Sequence, residues 1–358
     1  WRILVLVEHA HADVGMAAVH LAVLLLSRQP AAFAAKYPSF LQFAGERVPS
    51  GALTEMTRAA ERRNIPALVL SRPPLDRAIR GADLSAGKRL LQLGQGARRQ
   101  LVDGSAEPAG DRDADADQGA ARVDAMFPDP RSARVPVVAV TGTNGKTTTT
   151  RMIAHILGQS GLHTGVTTSE GITLRGAALT RGDSASFEGH ARVLTDPGID
   201  AAVLETHHRG IVLRGFAWKH CDVGICLNVS EDHIAPGEIE TLEEMADVKA
   251  AVPTRASGAA ILFADDPHCR AMAPRLRAAS TWWVSLVQPA NELRKLGGSG
   301  DLTTCTLEGV DGREWIVIHR LGERLPLMPV DAIPATFGGA ARFMVSNAMH
   351  AAAAALAL

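Results

Sequence analysis

Residues 141–150, TGTNGKTTTT, decide how this chain folds. An apolar run at 136–140 (PVVAV) precedes them, and Met152, Ile153, Ile156 and Leu157 follow at helical spacing. A strand, a glycine-bearing turn and a helix, in that order, make a phosphate cradle. Gly142 and Gly145 let the backbone turn tightly and bring amide N–H groups against a polyphosphate, and the new helix adds its positive end. Lys146 can reach the β- and γ-phosphates, and the Thr147 hydroxyl can ligate Mg²⁺. The general pattern G-x-x-x-x-G-K-[ST] asks for glycine at position 140, where this chain has Val140. The loop is a TGTNGKTTT variant.

From residue 135 onward, strand-like and helical segments alternate. Strands are predicted at 135–140, 164–167, 201–204, 223–227 and 259–263, and helices near 148–159, 242–252 and 269–278. A hairpin is predicted over 302–320 around Asp311-Gly312. This pattern predicts an α/β fold, a P-loop, doubly wound, mainly parallel sheet over residues 135–358. Ligands of such sheets bind beyond the carboxyl ends of the strands. Glu205 closes the apolar strand AAVLE, where a carboxylate can hold Mg²⁺ directly or through water. The segment 228–233, NVSEDH, follows another strand, and its Asp232 and His233 can offer an oxygen and an imidazole to a second metal. Lys249 lies further on, in an amphipathic helical segment.

Residues 1–105 predict a small α/β domain: a strand at 2–7, helices at 16–27 and 52–64, and a strand at 65–70. The stretch 16–26 (MAAVHLAVLLL) is 11 residues long, too short to cross a bilayer, and reads as a buried helix. Residues 90–100, LLQLGQGARRQ, read as a basic turn. Residues 106–134 are predicted to be an acidic flexible linker, because 104–124 (GSAEPAGDRDADADQGAARVD) carries almost no apolar side chain.

Composition bounds the rest. The length of 358 residues suits about two or three domains. A net charge of −1 gives no electrostatic case for nucleic acid or an anionic membrane. A hydrophobic share of 46% with only 4% aromatics suits helices packed on a parallel sheet. Four cysteines without a C-x-x-C pair read as unpaired thiols in a reducing cytoplasm rather than as a zinc site. The chain opens on Trp1 and stops at Leu358 inside an alanine-rich helical segment, so a fragment is expected.

Taken together, these motifs resemble the Mur ligase family, enzymes that couple ATP cleavage to amide-bond formation. The stretches that carry the resemblance are 122–157 (RVDAMFPDPRSARVPVVAVTGTNGKTTTTRMIAHIL), 221–234 (CDVGICLNVSEDHI), 240–249 (ETLEEMADVK) and 334–358 (PATFGGAARFMVSNAMHAAAAALAL). They are most similar to the branch that builds an Asp–Arg polymer without a ribosome. Residues 1–105 resemble the N-terminal domain of that branch more weakly. The resemblance implies that ATP phosphorylates a carboxylate and that an amine attacks the acyl phosphate. The implied partners are ATP, an amino acid such as arginine, a carboxylate acceptor such as an aspartate-containing peptide, and a second copy of the chain. It also implies roles: Gly142, Thr143, Asn144, Gly145, Lys146, Thr147 and Thr148 on the phosphates, Thr147 and Glu205 on Mg²⁺, and His233 on a second metal. Lys249 matches a lysine that the family can carbamylate, and Asn347 an asparagine near the nucleotide. The chain departs from the family at three places. ETARGG reads ETHHRG (205–210), NADDP reads FADDP (263–267) with Phe263 where an asparagine near adenine is expected, and the SGP segment reads SASF (184–187). That branch's ATP-grasp half and the C-terminal Mur domain are expected to be missing. A degenerate nucleotide-binding protein of the same descent therefore stands as the alternative to a working ligase. Ligases for a cell-wall precursor or for folate fit these stretches less well.

Overall fold

The computed structural model describes residues 12–47, 51–70, 90–103, 112–231 and 239–358. The strand expected at 2–7 lies outside them. Two compact units divide the chain. One holds the described residues up to Gly94 together with Arg99–Ala133; the other holds Gln95–Arg98 with Arg134–Leu358.

The first unit contains α1 (Ala12–Leu26), α2 (Pro30–Arg47), α3 (Gly51–Arg62), β1 (Ala67–Leu70), β2 (Leu90–Leu93), β3 (Gln100–Asp103) and α4 (Arg112–Met126). The three strands form one antiparallel sheet in the order β1-β2-β3. Two expectations are corrected here. The apolar helix α1 is not buried: it packs on α2, while Met16, Val23, Leu25 and Leu26 stand exposed. The stretch expected to be a flexible spacer contains α4. Gly119, Val123 and Phe127 recur every four residues, which puts them on one helical face. Val123 and Phe127 are buried in a core with Leu53, Met56, Leu91 and Leu93. The apolar content is low, but its large side chains Val123 and Phe127 fall on the buried side.

The second unit is one sheet with helices on both faces. Its first half runs β4 (Val137–Thr141), α5 (Lys146–Gln159), β5 (Thr164–Thr168), β6 (Gly171–Leu174), β7 (Ala177–Arg181), α6 (Phe187–Leu194), β8 (Ala201–Glu205) and α7 (His208–Arg214). Then come β9 (Cys221–Cys226), α8 (Leu242–Ala250), β10 (Ala256–Phe263), α9 (Pro267–Ala271), β11 (Ser280–Val284) and α10 (Ala290–Arg294). Last are β12 (Asp301–Val310), β13 (Arg313–Arg320), β14 (Glu323–Pro329) and α11 (Arg342–Ala357). The strand order is β14-β13-β12-β11-β10-β9-β4-β8-β5-β6-β7. The strands from β12 to β5 are parallel, and antiparallel hairpins extend both edges.

Alternate residues of each strand feed two cores. Val137 and Ala139 face the side that contains Val193, Met245 and Cys269. Val138 and Val140 face the side that contains Ile153, Val345 and Met349. Burial on both faces explains why these strands read as unbroken apolar runs. Alanines 351, 353 and 354 of α11 are buried and small, which suits its close packing beside α5. All four cysteines are buried and none is in a disulfide. No described helix is long and apolar enough to cross a membrane.

Candidate functional site

Strand β4 sits between β8 and β9, and the chain leaves it toward β5 on one side and later returns to β9 on the other. A crevice opens at such a switch point, beyond the carboxyl ends of the strands. The loop from Thr141 to Lys146 lies there. Gly142 has φ 151°, and a Cβ on it would sit 2.9 Å from the Cβ of Leu227. Gly145 has φ 85°, and a Cβ on it would overlap Oδ1 of Asn347. Only glycine meets both demands. Gly145 also occupies the N-cap of α5, which has no side-chain cap. The amides of the first helical turn therefore lack a side-chain acceptor, which is the geometry of an anion site.

The loop is tied to the exit of β9. The amides of Thr143 and Asn144 both donate to Asn228 Oδ1, at 3.0 and 2.8 Å. Asn228 Nδ2 donates to the Asn144 carbonyl at 3.2 Å. Thr143 Oγ1 accepts from the Ser230 amide at 2.9 Å and from Lys249 Nζ at 2.6 Å. Lys249 is only 2% exposed. Lys146 Nζ donates to the Thr143 carbonyl at 2.7 Å. Asp266 holds the exit strand from behind: its carboxylate accepts from the Val229 amide at 2.6 Å and caps α9 through the amides of His268 and Cys269.

On the other side of the loop, Thr147 Oγ1 donates to Glu205 Oε2 at 2.8 Å, and the Ser169 amide donates to the same oxygen at 3.2 Å. Thr147 Oγ1 and Ser169 Oγ are 3.1 Å apart. Burial raises the Glu205 carboxyl above its ordinary value, while the Thr147 hydroxyl, the Ser169 amide and the Lys146 charge pull it back down. Buried His190 fixes the end of β8. Its Nε2 meets the Glu205 main-chain carbonyl at 2.8 Å, and its Nδ1 accepts from the Trp218 indole at 3.4 Å. Burial lowers His190 to about 4, so the ring is neutral and Nε2 carries the proton.

The donor set here is hard oxygen: two hydroxyls and a buried carboxylate that a cation would stabilise. It fits Mg²⁺, which keeps several waters and takes one or two protein carboxylates. Among the described residues no cluster of three or more His, Cys, Asp or Glu side chains could hold a metal. Asp232 and His233 lie outside the described residues.

The structure thus brings Gly142, Thr143, Asn144, Gly145, Lys146, Thr147, Glu205, Lys249 and Asn347 to one crevice, with Thr148 on the first turn of α5. Sequence reasoning missed Asn228, Ser169, His190 and Asp266. Asn228 opens the stretch 228–233, whose Asp-His pair gives the stronger metal-ligand signal.

A parallel sheet with this loop at its switch point defines the class: a doubly wound α/β domain of the P-loop type. The chain belongs to the Mur ligase family, whose middle domain matches residues 140–355. It is 38% identical over 238 residues to the cyanophycin synthetase of Synechocystis sp. (strain ATCC 27184 / PCC 6803 / Kazusa), covering 65% of this chain and 26% of that protein. It is 28% identical over 208 residues to the UDP-N-acetylmuramoyl-L-alanyl-D-glutamate--2,6-diaminopimelate ligase of Chlorobaculum tepidum (54% of this chain, 39% of that protein). A solved structure of a ligase with the same name aligns at 22% identity, TM-score 0.44, over 62% of this chain and 43% of the other. The chain spans about a quarter of the length of the cyanophycin synthetases it matches.

Proposed function

We propose that this chain carries the nucleotide-activating centre of an ATP-dependent amide ligase similar to cyanophycin synthetase. The observation that carries the reading is the pairing of Thr147 with Glu205, 2.8 Å apart, beside the glycine loop and Lys146. In the proposed reaction a carboxylate oxygen attacks the γ-phosphorus of ATP, ADP leaves, and an acyl phosphate forms. An amine then attacks the acyl carbon, phosphate leaves with the bonding pair, and the ammonium proton is released as the amide forms. The acceptor is an aspartate-containing peptide and the amine that of an amino acid such as arginine.

The chain's own groups serve this by position and charge. Lys146 turns from the Thr143 carbonyl to the phosphates. Amides of the α5 first turn cradle them. Thr147 and Glu205 would hold divalent metal, with His233 and, once carbamylated, Lys249 as further groups, and the metal would neutralise phosphate charge. Asn347 closes over Gly145 beside the nucleotide.

Calorimetric titration with ATP and Mg²⁺ tests this. Binding should need the metal, and Lys146→Ala should weaken it about ten- to hundredfold, the loss of one charge-assisted contact. Equal binding by the variant would remove Lys146 from the phosphates and end the proposal. A second reading, nucleotide binding without ligation, draws on the turn after Glu205. There the rings of His207 and His208 lie 4.2 Å apart, tilted by 38°, where the family resemblance leads one to expect alanine and arginine. Mass spectrometry of a mixture of the chain, ATP, acceptor peptide and arginine separates the two readings. A new amide bond excludes the second.

A further inference from the structure

Of the four cysteines, two touch each other. Cys226 closes β9, Cys269 lies in α9, and their sulfurs are 3.7 Å apart. The Cys269 thiol also faces the Cys226 carbonyl at 3.7 Å. The Cys221 and Cys305 thiols face main-chain carbonyls instead, that of Val252 at 4.0 Å and that of Met349 at 3.8 Å. Cys226 and Cys269 are both buried, and the nucleotide chemistry above uses neither.

The pair sits behind the anchor of the phosphate loop. Cys226 lies beside Thr141 in the sheet, and Asn228, which holds the loop amides, follows it by two residues. The Cys269 amide donates to Asp266 Oδ1 at 3.1 Å, and Asp266 Oδ2 accepts from the Val229 amide at 2.6 Å. The segments 226–229 and 266–269 are thus joined at both ends, by Asp266 and Val229 at one and by sulfur contact at the other. A covalent bond would draw the sulfurs together to about 2 Å. The 2.6 Å bond at the other end has no room to shorten, so the movement falls on the residues between, Leu227 and Asn228. The three bonds from Asn228 to the loop are 2.8–3.2 Å long, and such bonds weaken steeply when stretched or turned.

We propose that Cys226 and Cys269 form an oxidative modification site: hydrogen peroxide joins them in a disulfide, and that bond loosens the phosphate loop through Asn228. One sulfur attacks a peroxide oxygen, the O–O bond breaks, and the departing hydroxide takes the thiol proton and leaves as water. The second sulfur attacks the sulfenic acid so formed, the S–O bond breaks, and hydroxide leaves with the second thiol proton as another water. The two sulfurs together give up two electrons, and the peroxide accepts them. The bond to Cys226 and burial both push the Cys269 thiol up, so the reaction waits on brief openings of the five-residue helix α9 and is slow. Only the affinity measurement below rests on the nucleotide reading.

The test exposes the chain to hydrogen peroxide, alkylates the remaining thiols in denaturant and digests without reductant. Mass spectrometry should find peptides joined through Cys226 and Cys269, two hydrogens lighter than the free pair, with Cys221 and Cys305 alkylated. In the oxidised chain the amides of 141–150 should exchange with deuterium about tenfold faster or more. A dithiol should restore the original rate, which sets the effect apart from methionine oxidation. Affinity for ATP with Mg²⁺ should fall and recover in parallel. In Cys269→Ser, peroxide should leave exchange and affinity unchanged; Cys226→Ala makes the same test should that variant fail to fold. Absence of the joined peptides would overturn the proposal. So would joined peptides with unchanged exchange over 141–150. If the reduced chain binds no ATP, the nucleotide reading falls alone, because the joined peptides and the exchange rates are read without nucleotide.

Discussion

Thr143→Val replaces a hydroxyl with a methyl of nearly the same shape at the point where the glycine loop meets two later segments. Thr143 is 6% exposed, and its Oγ1 accepts from Lys249 Nζ at 2.6 Å and from the Ser230 amide at 2.9 Å. Valine can accept neither. The bond from a charged donor is worth about 1.5–3 kcal/mol and the neutral one about 0.5–1.5, so the substitution should cost about 2–4 kcal/mol. Urea unfolding followed by tryptophan fluorescence measures it, because Trp218, Trp282, Trp283 and Trp315 all lie in the second unit. A double-mutant cycle with Lys249→Met isolates the lysine's share. If Thr143 holds the Lys249 ammonium, the two changes should couple by about 1 kcal/mol or more. A coupling below about 0.5 kcal/mol would mean that the two side chains are neighbours without consequence. Thr143 would then not be the junction of the site, whatever the single variants cost.

Two further expectations concern the same unit. Gly145→Ala puts a Cβ on a residue with φ 85° and against Asn347 Oδ1, which should cost about 1–3 kcal/mol. Adding Asn347→Ala should recover only the contact part of that loss, and a urea midpoint for Gly145→Ala equal to the parent's would contradict the reasoning. Burial lowers both His190 and His350 from 6.5 to about 4. The unfolded chain takes up protons near pH 6.5 that the folded chain refuses until about pH 4. The stability from this source is therefore fully present above pH 6.5 and is lost as pH falls through about 4, up to about 3 kcal/mol for each histidine. His190→Gln, which keeps an N–H for the Glu205 carbonyl, combined with His350→Leu should flatten the fall in urea midpoint between pH 7 and pH 4.5. An unchanged slope counts against buried neutral histidines.

The sheet was legible because its signals are local. The run 136–140 and the glycines after it specify strand, turn and helix within a dozen positions, and Asp311-Gly312 marks its hairpin in two. Signals spread along a helix were harder to read. α4 carries Gly119 and Val123 among charged neighbours, with Phe127 just past its end, so mean composition hid a face that periodicity would have shown. α1 misled in the opposite sense: its apolar run predicted a helix correctly, but nothing in eleven residues says whether the fold supplies a surface to cover them.

The partners of the site could not be read locally at all. Asn228 holds the loop amides from 84 and 85 positions away, and Lys249 reaches Thr143 across 106. Each of these side chains sits just beyond a parallel strand or on the helix that follows one. Parallel pairing brings such positions together only after the crossovers between them have formed. A sequence can therefore show that a residue lies at the carboxyl edge of the sheet, but not which other edge residue it will touch. Asp266 makes the point most sharply. As part of FADDP it carries no role that the sequence alone assigns. In the folded chain it bonds the Val229 amide and caps α9. Its charge holds Asn228 in place for the phosphate loop.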